Sequence, residues 1–215
     1  MKNDDSFQVY LDQDGVLADF NTSVSDAKKY PHLARLRQEI WKVLPQLEGF
    51  EQYEMKVWFQ ENAKLITSHK DVVQGHRLFK TYTSAFYAQV GKPGFFAGLD
   101  LFPGARSLVD GIIEIGQGKL PNVLTAPVQS AHCAPEKQAW IEKNFNGKFA
   151  NFICQKNKAE HAAFGRVLVD DLTKNTVPWM EQGGGLAVLY KGDVADAHKQ
   201  VQEFYDKMVL SSLYR

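Results

Sequence analysis

The chain is poor in cysteine, in long apolar runs and in any excess of charge. Its two cysteines, Cys133 and Cys154, have no C-x-x-C spacing, which supports neither a disulfide framework nor a structural zinc site. Two reduced thiols are expected. No apolar run approaches the roughly 18 residues that read as a membrane span, and the opening MKNDDSFQ lacks the apolar segment of an export leader. The expectation is a cytoplasmic protein with no membrane partner. Lysine plus arginine equal aspartate plus glutamate, 25 each, so no global field draws the protein to a long nucleic acid. The G-x-S-x-G, H-E-x-x-H and G-x-x-x-x-G-K-[ST] motifs are missing as well. GIIEIGQGK comes near the last, but Gln117 follows Gly116 where lysine is required.

What the chain does have is enough apolar residue for a core. At 215 residues and 44% hydrophobic content, it can bury one substantial core with a smaller excursion beside it. Short apolar runs read as strands at 7–11, 122–126, 151–155, 166–170 and 186–190. Helical patterns fall at 103–117, 135–145, 172–182 and 193–210, with Pro103 at an N1-like position. Strands alternating with helices predict an α/β fold, a Rossmann-like doubly wound parallel sheet. The interval from Asn21 to about Phe96 has no strand signal and is rich in helix formers and aromatics, so it reads as a helical insertion after the first strand. In such sheets ligands bind beyond the carboxyl ends of the strands, and those ends carry the chemistry to be weighed.

The first strand ends in VYLDQDGVLADF, where Asp12 and Asp14 stand one residue apart and Gly15 allows a sharp turn. Two carboxylates this close repel unless a cation lies between them or one holds a proton. A hard divalent ion such as Mg²⁺ meets that need; a turn-forming or capping pair is the plainer reading. A calcium loop does not fit, because glycine follows the second aspartate at once and Val16 and Ala18 occupy would-be ligand positions. Further along, Thr125 ends the second core strand, Lys137 lies in the first turn of a helix, and Asp170 and Asp171 end the fourth core strand. Singly, each has an ordinary explanation: a strand threonine, a solvated lysine, a capping acid. In this order they point to phosphate chemistry. Carboxylates from two strand ends suit a shared magnesium ion, a hydroxyl can donate to a phosphoryl oxygen, and an anion offsets a cation at a helix start.

The order Asp-x-Asp-Gly, Thr, Lys, Asp-Asp resembles the haloacid dehalogenase (HAD) superfamily. DQDGVLADF (12–20), FFAGLDLFPGA (95–105), VLTAPV (123–128), PEKQAWIEKNF (135–145), ICQKNK (153–158) and VLVDD (167–171) resemble its 5'(3')-deoxyribonucleotidase branch. The resemblance implies a HAD core formed by 1–20 and 97–215, with 21–96 as a helical cap. It implies a Mg²⁺-dependent phosphomonoesterase that hydrolyses (deoxy)ribonucleoside 5'-monophosphates through an aspartyl-phosphate. A non-nucleotide phosphoester or a polynucleotide end is the alternative substrate. Asp12 would be the nucleophile and Asp14 the acid and base. Asp12, the Asp14 backbone carbonyl and Asp170 would hold the metal, and Asp171 would order its waters. Thr125 and Lys137 would hold the phosphoryl oxygens, with Lys156 and Lys158 near them, and Phe20 and Phe96 would lie against the nucleobase. The partner is thus a small-molecule nucleotide, and a homodimer is compatible with the family. Ala126 stands where this branch usually has serine, and Leu172 and Thr173 where it often has Arg-Pro.

Overall fold

The sheet is built outward from its first strand. β1 (Gln8–Leu11) has Val9, Tyr10 and Leu11 all buried, the continuous apolar pattern of a strand covered on both faces. β2 (Asn122–Thr125), β3 (Phe152–Cys154), β4 (Arg166–Asp170) and β5 (Leu186–Leu189) join it in the order β3-β2-β1-β4-β5, and every pairing is parallel. This is the doubly wound parallel sheet expected, each strand lying within one of the apolar runs. The structure, a computed structural model, describes residues 7–183 and 185–213; most of the MKNDDSFQ opening lies outside them.

The chain forms two compact units, one of Met1–Phe20 and Phe96–Arg215, the other of Asn21–Phe95. In the first, α5 (Ala105–Ile115), α6 (Cys133–Phe145), α7 (Thr173–Gly183) and α8 (Val194–Leu213) connect and flank the strands. α5 packs on α8, and α7 on β4 and β5. The order turns back at β1: β2 and β3 build to one side, β4 and β5 to the other. The carboxyl ends of β1 and β4 therefore adjoin at the switch point of the sheet, the place where open α/β sheets bind their ligands. α5 begins two residues later than the Pro103 signal suggested. Gly104 takes a left-handed φ of 80° before the first helical residue, a turn that a proline-led start does not include.

The second unit is helical. α1 (Phe20–Ser25) crosses into it, followed by α2 (Pro31–Val43), α3 (Gln52–Glu61) and α4 (Lys70–Val90). α2 packs along α4 and Leu33, Ile40, Met55, Phe59, Phe79 and Tyr82 are buried within it. Arg37, also buried, donates to Ser25 Oγ at 2.8 Å and to the Ser25 carbonyl at 3.1 Å, and pairs with Glu51 at 3.4 Å. Glu51 and Glu54 close a capping box at the start of α3. Among the described residues, no helix is long and apolar enough to cross a membrane.

Candidate active site

β1 delivers Asp12 to the switch point, where its backbone N–H still donates to Val169 of β4 at 3.0 Å. The chain then turns tightly. The Gln13 carbonyl accepts the N–H groups of Leu17 and Ala18 at 2.9 and 2.8 Å, and Gly15 N–H donates to Ala18 at 2.9 Å. Gly15 is required twice over: its φ is 77°, and a Cβ there would run into the Asp171 carboxylate. Beyond the turn, Ala18 bridges Leu101 and Asp19 N–H donates to Asp100 at 2.9 Å, which fixes the outgoing segment to the returning one.

Two buried lysines organise the acids. Lys158 places Nζ 2.7 Å from Asp12 Oδ2 and 2.6 Å from Asp170 Oδ2. Lys137 places Nζ 2.7 Å from Asp14 Oδ2 and 2.8 Å from both Thr125 Oγ1 and the Ala126 carbonyl. Burial works against the ammonium of Lys137, but the carboxylates of Asp14 and Asp12 outweigh it and hold the group above the ordinary lysine value. Lys158 is raised in the same way, burial being overcome by Asp12 and Asp170. The acids remain under-compensated. Burial pushes Asp14 up, Lys137 countering it; burial and the Asp12 charge push Asp170 up. Asp171 is pushed up to about 8 by burial and by Asp12 and Asp170. Burial leads in each case and charge adds to it: with all four carboxylates ionised, two ammonium groups would leave two negative charges uncompensated.

That deficit is the charge of one divalent cation. One oxygen each from Asp12, Asp170 and Asp171 lie within 4.8 Å of one another, a set able to hold a metal ion. Asp171 Oδ1 is buried with no hydrogen-bond partner, an orphan acceptor that a hard cation satisfies. The Asp14 carboxylate is not in this set and faces Lys137 instead.

Of the residues read from the sequence, Asp12, Asp14, Thr125, Lys137, Lys158, Asp170 and Asp171 meet here. Lys156 does not; it is exposed, while Lys158, two residues on at the start of a short 3₁₀ turn, is buried. Phe20 is half-buried and stacks on Phe96, with ring centroids 6.3 Å apart. Phe96 is almost wholly buried, with the Lys137 ammonium 4.8 Å from its ring centroid. Its own N–H donates to Glu136 at 3.2 Å. The sequence reading missed Asn175, which donates to both oxygens of Asp170 at 2.9 and 3.0 Å. A short amide in the first turn of the helix after the Asp-Asp pair was the available signal. With the Leu172 N–H at 3.0 Å, it fixes the plane of the Asp170 carboxylate.

No family model matches the chain. Among solved structures it is similar to a HAD family enzyme from Bacteroides thetaiotaomicron, an aspartate-to-alanine mutant in complex with magnesium and inorganic phosphate. The identity is 12% and the TM-score 0.40, covering 86% of this chain and 94% of that one. It is also similar to the Unknown transcript 4 protein of Saccharomyces cerevisiae, at 10% identity and a TM-score of 0.34, covering 83% and 88%. Likenesses of this strength carry no chemistry to this chain, and the functional reading rests on its own residues.

Proposed function

We propose that the protein is a Mg²⁺-dependent phosphomonoesterase of the haloacid dehalogenase superfamily, acting on (deoxy)ribonucleoside 5'-monophosphates. The observation that carries this reading is the cluster itself: four strand-end or turn carboxylates and two buried lysines at one switch point, two positive charges short of neutrality. Asp12, Asp170 and Asp171 would hold the ion, with the Asp14 carbonyl as a further oxygen. When bound, it offsets the acids' repulsion and polarises the phosphoryl group.

The chain's own groups do the rest. Asp12 is held through both oxygens, Oδ1 accepting the Gln13 N–H at 2.7 Å and Oδ2 facing Lys158. A carboxylate fixed in this way attacks phosphorus without first reorienting. The P–O bond to the leaving group breaks, and Asp14, raised by burial toward its protonated form, supplies the proton to the departing oxygen. Asp14 then takes a proton from the water that attacks the aspartyl-phosphate, which releases phosphate and regenerates Asp12.

The lysines divide the remaining work. All three protons of Lys137 already have acceptors, so it reaches a phosphoryl oxygen only when Asp14 protonates and loosens its hold. Lys158 has two carboxylate partners and a third proton to offer beside Asp12. Because Thr125 accepts from Lys137, its own hydroxyl proton is directed to the phosphoryl group. Phe20, half-buried beside the turn, is the aromatic face offered to the base. Phosphate release across nucleoside monophosphates and sugar phosphates, with Mg²⁺ and with chelator, tests the reading. Metal-dependent turnover led by nucleotides is expected. Full activity after metal removal would overturn the mechanism, and sugar phosphates leading in kcat/KM would overturn the nucleotide assignment.

A further inference from the structure

The segment 96–99, where the chain comes back to the sheet, is fastened to α6 at two points. Phe96–Gly98 forms a short 3₁₀ turn, and α6 packs against it. At the start of the turn, Glu136 Oε2 accepts the Phe96 N–H at 3.2 Å and, more weakly, the Ala97 N–H at 3.5 Å. Just beyond its end, the Trp140 indole N–H donates to the Leu99 carbonyl at 2.7 Å. Glu136 and Trp140 stand one helical turn apart on the same face of α6. A carboxylate is a strong acceptor for the N–H groups that the start of a helical turn does not pair within itself.

What is fastened is the ring of Phe96, which lies beside two groups of the site. The Lys137 ammonium is 4.8 Å from its centroid, and the Phe20 ring stacks on it at 6.3 Å, 15° from parallel. That spacing is the one aromatic pairs prefer. Lys137 is held independently of this ring, because Asp14, Thr125 and the Ala126 carbonyl already take its three protons. Phe96 is almost wholly buried, so its part is to back the half-buried Phe20. The orientation of Phe20 therefore depends on where the backbone at 96–97 is held.

We propose that Glu136 is a positioning residue for base recognition. By holding the 96–97 backbone it fixes Phe96 behind Phe20, and so sets how well the protein separates nucleotides from other phosphoesters. A ring already held in place loses less freedom when a base stacks on it, and that preorganisation is expressed as affinity. Neighbouring residues in the first turns of α6 thus serve two ends, Lys137 reaching the acids and Glu136 the returning segment. The effect on nucleotides rests on the nucleotide reading above; the fastening of 96–97 does not.

Three replacements separate reach from charge. Glu136→Gln keeps an acceptor oxygen at the same reach and loses the charge, Glu136→Asp keeps the charge and is shorter by a methylene, and Glu136→Ala loses both. In the full-length protein with Mg²⁺, phosphate release is measured on a deoxyribonucleoside 5'-monophosphate and on glycerol phosphate. Amide hydrogen exchange is followed by mass spectrometry in peptides covering 95–99. Expected for Glu136→Ala and Glu136→Asp are a nucleotide KM raised about tenfold with little change in kcat, unchanged kcat/KM for glycerol phosphate, and faster exchange at 96–97. Glu136→Gln should stay near the unmodified protein in every respect.

An impaired Glu136→Gln beside a normal Glu136→Asp would show that the charge acts and the fastening does not, and overturns the proposal. Equal losses on both substrates overturn it too, since they place the effect at Lys137. An unchanged nucleotide KM despite faster exchange overturns the link to base recognition, and unaltered exchange in Glu136→Ala overturns the fastening. If no substrate releases phosphate, the phosphatase reading fails and the exchange data still decide whether Glu136 holds 96–97.

Discussion

The Lys137 ammonium lies 2.7 Å from Asp14 Oδ2, and its other two protons go to Thr125 and the Ala126 carbonyl. Replacing it removes the partner of a carboxylate that burial already pushes toward protonation. Lys137→Met is expected to lose about 3 kcal/mol at pH 8, the usual cost of leaving one member of a buried ion pair alone. The deficit should shrink at pH 5, because protonating Asp14 removes the unpaired charge. Urea unfolding at the two pH values checks this; an equal loss at both would show that Lys137 acts through packing and not through the Asp14 charge.

Asp12→Asn keeps the shape of the side chain and the contact with the Gln13 N–H but removes the nucleophilic charge. Turnover should fall at least about a thousandfold with the circular dichroism spectrum unchanged. A well-folded Asp12→Asn protein with near-normal kcat would remove Asp12 from the chemistry.

Asp171 makes the metal-free protein sensitive to alkaline pH. Its value in the folded chain, pushed up to about 8, lies above the roughly 3.9 of an unfolded aspartate, so the folded state binds the proton more tightly. The stability this confers is complete below about 4 and is lost as pH climbs through about 8. In chelator, Tm should therefore fall from pH 5 to pH 9. Added Mg²⁺ should restore it, more at pH 8.5 than at pH 6, since the ion competes with that proton. Scanning fluorimetry decides; a magnesium effect independent of pH counts against Asp171 as part of the site.

Phe20→Ala should weaken kcat/KM for nucleoside monophosphates by about 1 to 3 kcal/mol, the worth of one base–aromatic contact, and leave a small generic phosphoester nearly unaffected. Equal losses on both substrates would assign Phe20 to packing against Phe96 and remove it from base recognition.

The parts of the site legible in the sequence are those fixed by strand ends. An apolar run that stops at an acid puts that acid at the carboxyl edge whatever the rest of the chain does, so Asp12, Thr125 and Asp170 could be placed from pattern alone. Loop geometry could not. Lys156 and Lys158 look alike in ICQKNK, and only the 3₁₀ turn at Lys158–His161 buries one and exposes the other. The pairing of Thr125 with Cys154 depends on β3 lying beside β2, and strand order is not written in local periodicity. Phe96 had the residue type of a base-stacking wall, but its ring is buried beside Lys137, a placement set by the backbone where the chain returns to the sheet.

The Ala18–Leu101 bridge gives the fold a modular seam. The segment leaving the turn at 12–18 and the segment returning to α5 run side by side in hydrogen-bonded contact, so the chain between them begins and ends at neighbouring points. Joining neighbouring points requires only a short link, and the entropy of closing a loop grows slowly with its length. A graft at this seam, with a few residues or another helical unit in place of 21–95, should leave the order of the five strands and the spacing of Asp12, Asp14 and Asp170 untouched. Residues in the exchanged segment are free to diversify while the acids stay where β1 and β4 end.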